Sequence, residues 1–424
     1  MSSSSPTATL AASEAKPIVS RPPLRTRLSK HRISWLLLLP VLLFLLTCFV
    51  WPIATVLWRS VENPEVRRAL PETLATLKSW NGRELPDEAS YRALAEDLRT
   101  ARDRGAGLVP TLGKRLGYDD AALSSLPSVT LSALRKIPVD GTSSMRDQLV
   151  EAVPLWGQVS TWKTVVRAGT PLTSHYQWAA IDRRVDPITG EVVKRPAEQA
   201  LYVDVMLRTL WISAMVTLGC VLLGYPLAYW LSRQPTSRAN LLMLMVLLPF
   251  WTSLLVRTAG WIVLLQSAGI LNRALIWMGL IDKPLELVFN RTGVYIAMTH
   301  ILLPFIILPL YAVMKGISGH YVRAAISLGA HPIEAFWRVY VPQTYSGLTA
   351  GALLVFIMAI GYYITPALLG GPDDQMASYF VAYYTNSTIN WGMAAALGSQ
   401  LLIVVLLLYV IYARATRPTA VKPA

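Results

Sequence analysis

The chain has 424 residues, of which 53% are hydrophobic and only 15% charged, and its mean hydropathy is +0.42. That is too apolar for a soluble globular domain and places the chain in a bilayer. The net charge of +14 is spread in a way that reports membrane topology, so nucleic acid is not an expected partner.

In chain order, residues 1–34 are rich in Ser, Pro, Ala and Arg without periodicity, and read as a disordered basic cytoplasmic tail. A helix crossing a core of about 30 Å needs roughly 20 apolar residues. Six stretches qualify: 35–58, 207–231, 241–265, 292–314, 347–369 and 393–413. The first is too long for a signal peptide and is followed by no small-residue cleavage site, so it is expected to be retained. Cys48 and Cys220 both fall inside spans, so no disulfide framework is available to the rest of the chain.

Residues 59–203 are long enough for a small domain. Helical spacing with acidic starts appears at 86–103 and 143–153, while 181–196 reads as a hairpin turned by Asp186, Pro187 and Gly190. An α/β insertion is therefore expected between the first and second spans, either docking an outside partner or covering the mouth of the bundle. The remaining residues divide into a membrane domain, 204–414, and a short cytoplasmic tail, 415–424.

With the N-terminus inside, the segments 1–34, 232–240, 315–346 and 414–424 hold 14 Lys and Arg against two acidic residues, Glu14 and Glu334. The short outside loops 266–290 and 370–392 hold Arg273 and Lys283 against Asp282, Glu286, Asp373 and Asp374. Segment 59–203 carries 20 basic and 18 acidic residues, but long loops cross largely regardless of charge. Both termini are thus expected in the cytoplasm.

Chemistry-bearing motifs are scarce. "GLVPTLGKR" at 107–115 has one residue too many for a phosphate-binding loop and Arg where the hydroxyl belongs. His31, His175, His300, His320 and His331 show no metal-ligand spacing, and no Gly-x-Ser-x-Gly elbow occurs. No catalytic residue, metal or bound cofactor is expected. Pro249, Pro304 and Pro309 mark expected kinks beside a path through the lipid. Arg257 and His300 are costly inside spans, so at least one is expected to face the bundle interior. Tyr225, Trp251, Trp261, Tyr362 and Tyr363 offer aromatic faces to a cation. The candidate pathway set is Tyr225, Trp251, Arg257, His300, Tyr362 and Tyr363.

Between the fourth and fifth spans lies "YVRAAISLGAHPIEAFWRVYVPQTYSGLTAG", residues 321–351. It reads as an amphipathic helix, a Gly break and a second helix ended by Pro342. Ala324, Ala325, Ile326, Leu328, Ile333, Phe336 and Val339 supply the apolar face. Gly329 permits either a sharp turn or a close approach. Such a helix suits a groove on another protein or a lipid surface.

"RAAISLGA" followed by Phe336, Val341, Pro342 and Gly347 resembles the Glu-Ala-Ala loop of binding-protein-dependent ABC importer permeases. "GYPLAYWLS" (224–232), "LLPFWTSLLVRT" (247–258), "GILNRALIWMGLID" (269–282), "ILLPFIILPLY" (301–311) and "GYYITPALLGGP" (361–372) are similar to the spermidine/putrescine permease family. The resemblance covers about residues 205–415 and, weakly, the first span. It implies an all-α polytopic membrane protein, with six transmembrane helices of the type I ABC importer permease fold and the periplasmic α/β insertion added between helices 1 and 2.

The resemblance further implies a coupling loop at 316–346 that fits a cytoplasmic ABC ATPase dimer, carried by Arg323, Ala324, Ala325, Gly329, Ala330 and Phe336, with Pro342 and Gly347 beyond. ATP would be used by the ATPase and not bound by this chain. A second homologous permease subunit, a periplasmic solute-binding protein and the bacterial inner membrane complete the implied setting. Arg323 stands where the family has Glu, and Ser346 replaces the Pro before Gly347. The implied cargo is a polyamine; opines, amino-acid-like compounds and phosphonates remain alternatives. An ion-driven secondary transporter would need internal repeats and paired intramembrane carboxylates, and the sequence offers neither.

Overall fold

The computed structural model describes residues 37–105, 107–137, 144–186 and 189–415. The expected tail 1–34, nearly all of the tail 415–424 and the turn residue Pro187 lie outside the described residues. The chain divides into two units, Met1–Thr55 and Val56–Ala424.

The first unit contributes most of helix α1, Leu37–Arg59. Its residues Leu46–Val50 form a π-turn, two positions before Pro52. Proline has no N–H and its ring clashes with the carbonyl four residues back, so a shifted hydrogen-bond register carries the helix past it.

In the second unit, residues after α1 build a helical insertion: α2 Glu65–Ala69, α3 Pro71–Thr76, α4 Glu88–Arg104, α5 Leu108–Asp119, α6 Leu126–Leu134, α7 Met145–Ala152, α8 Val159–Ala168 and α9 His175–Ala179. A single antiparallel hairpin follows, β1 Arg183–Val185 with β2 Val192–Lys194, in the register Arg184↔Val193. The expected mixed α/β character thus reduces to one hairpin on an otherwise helical insertion. Val66, Leu70, Leu94, Leu98, Leu116, Leu149 and Trp162 form its core. The buried indoles are satisfied: Trp156 Nε1 donates to Thr130 Oγ1 at 2.8 Å and Trp162 Nε1 to the Trp156 carbonyl at 2.9 Å. Asp87 caps α4 through the Ser90 amide. Glu88 receives the Met145 and Arg146 amides at the start of α7. Although burial works against its charge, those bonds hold the Glu88 carboxyl down at about 2.

A buried polar knot ties the insertion to the chain leaving α1. Arg115 pairs with Asp119 at 3.0 Å and donates to Asn63 Oδ1 at 2.7 Å, and Asn63 donates to the Ala168 carbonyl. His175 Nδ1 lies 3.0 Å from the other Asp119 oxygen.

The bundle begins at α10, Tyr202–Ser232. Asp182, held at φ +56, accepts the Leu201, Tyr202 and Val203 amides at 2.9, 3.0 and 2.7 Å, so one carboxylate covers three of the backbone donors at the start of this long helix. There follow α11 Thr236–Leu247, α12 Leu254–Leu265, α13 Ile270–Trp277 and α14 Arg291–Gly316. Then come α15 His320–Ser327, α16 Pro332–Gly361, α17 Ile364–Leu369, α18 Ala377–Asn386 and α19 Trp391–Ala415.

Helices α10, α14 and α16 pack as the central three, through Ile212, Val216, Met298, Leu302, Ile306, Leu310, Val355 and Ala359. Lipid offers no hydrophobic drive between helices, so close backbone approach must supply the contact. A Cβ at Gly224 would meet Ile306 at 2.6 Å, and one at Gly347 would meet the Pro309 carbonyl at 2.9 Å.

Two expected spans are redrawn. The stretch 241–265 is not one helix: a 3-10 turn at Leu248–Trp251 and extended backbone at Thr252 and Ser253 separate α11 from α12. Pro249 denies the ladder a donor there. The fifth span does not begin at Gly347 but is continuous from Pro332, and it stops at Gly361, with α17 following a break at Tyr362 and Tyr363. Pro342 therefore does not end a helix. A π-turn at Phe336–Tyr340 lets the helix run through it, as at Pro52. Helix α14 likewise runs unbroken through Pro304 and Pro309.

The polar knot sets a pH response. Burial would raise the Asp119 carboxyl, but the His175 hydrogen bond and the Arg115 and Arg167 charges more than offset it and hold it at about 2. Burial lowers His175, against the Asp119 contact. Both folded-state values lie below their unfolded ones, so both contributions are present at neutral pH and are lost as pH falls, His175 first and Asp119 below its ordinary 3.8. The Asp119 share is about 2 kcal/mol. Calorimetric Tm of the purified chain should fall between pH 7 and pH 3, and Asp119→Asn should lower Tm at pH 7 and flatten the acid limb. A Tm independent of pH would contradict the knot's role.

Candidate functional site

Helix α15 ends in a Schellman motif: Gly329 N–H reaches the Ile326 carbonyl at 2.9 Å and Ala330 N–H the Ala325 carbonyl at 3.1 Å. Gly329 sits at φ +95 with no atom within 4 Å of where a Cβ would stand. Its glycine serves the left-handed turn and not a close approach within this chain. The turn leads to Pro332 at the first position of α16, where His331 Nδ1 accepts the Ile333 amide.

Arg323 and Ala324 are exposed, and Ala325 and Ala330 half-buried. Around them Tyr321, Ile326, Leu328, Ile333 and Trp337 project outward, Leu328 with 89% of its surface free. The Arg323 guanidinium meets only the His320 ring, at 3.1 Å. It has no carboxylate partner among the described residues.

The other predicted loop residues hold this surface to the bundle. Phe336 and Tyr340 stack on each other and both meet Tyr229 of α10 edge-on, with ring centroids 5.3 and 5.2 Å away. Arg233 covers the Tyr229 ring at 4.3 Å. Lys315 donates to the Gln234 carbonyl at 3.0 Å, and Tyr225 shares a hydrogen bond with Thr344. Gly347 lies buried against α14. Tyr229, Arg233, Lys315 and Tyr340 were not singled out from sequence, although the four-residue spacing of Tyr225 with Tyr229 and of Phe336 with Tyr340 is a readable sign of two facing helical stripes.

Of the predicted pathway residues, Arg257, His300 and Tyr362 come together. Trp261 Nε1 donates to His300 Nδ1 at 3.3 Å, their rings meeting edge-on. The Arg257 charge acts on both His300 and Tyr362. Arg257 Nε is sealed from solvent without a hydrogen-bond partner. Alongside, Thr258 pairs with Thr365 at 3.1 Å, and the Tyr362 carbonyl, freed by the helix break, accepts Ser378 Oγ at 2.6 Å. Two interrupted helices thus meet where the charged and aromatic groups collect. Tyr225 lies elsewhere, against Thr344, and Trp251 points outward at the 3-10 turn, 73% exposed. Tyr363 is exposed at the break. No group of three metal-ligating side chains occurs among the described residues.

Residues 220–418 match the family model described as the binding-protein-dependent transport system inner membrane component. Over 217 residues the chain is 36% identical to the spermidine/putrescine transport system permease protein PotB of Salmonella typhimurium (strain SL1344), covering 51% of this chain and 76% of that protein. This chain belongs to that inner membrane component family. The permease is also 35% identical over 217 residues to PotB of Escherichia coli (strain K12), covering 51% of this chain and 79% of that one. A crystal structure of a bacterial alginate ABC transporter, in complex with alginate pentasaccharide-bound periplasmic protein, aligns at a TM-score of 0.43 and 16% identity, over 53% of this chain and 81% of that one. The permease is thus the membrane subunit of an ABC importer and not a catalytic enzyme, and residues 59–203 lie outside the matched region.

Because Gly329 is held by φ and not by space, conformation should decide which substitutions the permease tolerates. Gly329→Ala should strain the turn by about 1–2 kcal/mol and reduce transport-coupled ATP hydrolysis, whereas Gly329→Asn, bulkier but at ease in this region, should retain more of it. A ranking by side-chain size instead would refute the reading.

Proposed function

We propose that this permease forms half of the translocation path of an importer for a polyamine such as spermidine or putrescine, delivered by a periplasmic binding protein. The observation that carries the reading is the exposed turn α15–Gly329 joined to a helix that runs unbroken to the Arg257–His300–Tyr362 cluster. The cargo follows that of the spermidine/putrescine PotB relatives.

In this reading both termini and the α15 surface face the cytoplasm, and residues 59–203 face the outside. ATP binding closes an ATPase dimer, one ATPase of which grips Tyr321, Ile326, Leu328 and Arg323. Helix α16, clamped to Tyr229, moves as a lever and shifts the break at Tyr362 and Tyr363. The second grip belongs to a second permease, since one chain presents one such surface. A binding protein meets the outer face, and the chain itself holds no cofactor.

The Arg257 environment supports a second reading. The carboxylates in spans two to six stand at their ends, Asp204 at the start of α10 and Glu334, paired with Arg338, at the start of α16, and an Arg257 whose Nε has no hydrogen-bond partner among the described residues suits a carboxylate- or phosphonate-bearing solute. Labelled spermidine uptake by the reconstituted complex, challenged with unlabelled putrescine, an opine, an amino acid and a phosphonate, separates the two. Competition by putrescine alone sustains the polyamine reading, and competition by the anionic solutes alone replaces it.

Reporter fusions test the orientation: one at Pro110 should read outside and one at Ser318 cytoplasmic. Swapped labels would reverse the topology. Arg323→Glu should weaken capture of the ATPase by about tenfold or more, with restoration by an acidic-to-basic change on the ATPase. Unchanged assembly and transport would make Arg323 a solvated side chain.

A further inference from the structure

Where the insertion meets the start of α19, a cleft of about 380 Å³ opens. Arg59, the last residue of one apolar helix, and Trp391, the first of another, both line it. The cleft therefore lies at the depth where hydrocarbon gives way to headgroups. Its floor is fixed: the Tyr176 ring lies so close to Gly392 that a Cβ there would meet it at 2.4 Å. At the rim, Ile389 is held at φ +56 with its side chain 69% exposed, a strained conformation for a β-branched residue.

The lining carries both signs. Arg59, Arg68 and Lys114 line it together with Glu62 and Glu65, and among the described residues none of the five is in an ion pair. Arg115 also lines the cleft but is engaged by Asp119 and Asn63, and Arg59 rests 5.2 Å from the Trp391 ring centre. Glu65 is a half-buried carboxylate in this lining, and an occupant that donates to it would relieve the cost of its burial. Arg68 lies one turn along α2 from Glu65. A fitting occupant carries an anion and a hydrogen-bonding cation a few bonds apart.

We infer that this cleft seats the headgroup of an aminophospholipid, its phosphodiester on Arg59, Arg68 and Lys114 and its primary ammonium on Glu65, with Glu62 alongside. Trp391 and Tyr118 flank the glycerol region, and Ile389 meets the acyl chains. A trimethylated headgroup has the same charges but cannot donate to Glu65. A glycerol headgroup supplies the phosphate without the ammonium.

Native mass spectrometry of the full chain, released from nanodiscs of mixed lipid, reads which lipids stay bound. Phosphatidylethanolamine should be retained about tenfold over phosphatidylcholine, and Glu65→Gln should erase that preference. Lys114→Gln, at an exposed position that does not threaten folding, should lower retention of both phosphatidylethanolamine and phosphatidylglycerol by about fivefold. Equal retention of the ethanolamine and choline lipids by the parent, or unchanged retention in Lys114→Gln, would overturn the inference. So would soluble phosphoethanolamine or inorganic phosphate displacing the lipid at comparable concentration, which would make this a small-anion site.

Discussion

The continuity of α16 through Pro342 is the constraint on which the rest of the structure depends. A proline normally closes a helix, and a helix closed at 342 would leave the exposed turn at 320–331 as an appendage of the membrane domain. The π-turn at Phe336–Tyr340 instead absorbs the missing donor one turn early. The Gly329–His331 turn and the break at Tyr362 thereby bracket one rod, and the surface around Leu328 is joined to it through that turn. A packed helix is stiff, and its neighbours α10 and α14 hold this one along its length.

The aromatic clamp gives that rod a fulcrum. Tyr229 is met edge-on by Phe336 and Tyr340 and covered by Arg233, so it joins the end of α10 to the start of α16 by ring faces and edges. Such contacts tolerate tilting better than a single hydrogen bond with a fixed angle does. Close approach at Gly347 keeps the axis of α16 near α14 where the rod enters the bundle. Small residues inside and aromatic rings at the end join the helices in a way suited to a membrane, where packing and not hydrophobic drive holds helices together.

Much of this was legible in the sequence, and the failures have physical causes. Length and apolarity located the spans, because the bilayer thickness sets the count. Hydropathy cannot see where a helix is interrupted, so 241–265 read as one span although Pro249 and the extended Thr252 and Ser253 divide it. Nor can it see where a helix survives a proline: Pro52, Pro304 and Pro342 carry the same local signal as Pro249, and tertiary packing decides among them. Gly329 was legible as special, but whether for its φ or for its lack of a side chain only the backbone could say. The Arg257 cluster was half legible: intramembrane charge marked the residues individually, while their meeting depends on how α12, α14 and the α16–α17 break pack.

The insertion shows what lies beyond local reading altogether. Its sequence forecasts helices and a hairpin, yet its consequence for the membrane domain comes from contacts far apart in the chain. Gln177 donates to both Ser60 and Ser399, Tyr202 bonds to Tyr384, and Tyr176 occupies the space that Gly392 leaves free. The Gln177–Ser399 bond and the Tyr176–Gly392 contact fasten the insertion to α19, and Asp182 fastens it to the start of α10, with the Arg115–Asp119–His175 knot immediately behind. A domain attached to two helices of the bundle cannot swing freely over it; any movement of α10 relative to α19 must either carry the insertion along or break these bonds. The 145-residue addition is therefore mechanically part of the membrane domain, and it constrains the same α10 that the aromatic clamp engages at its opposite end.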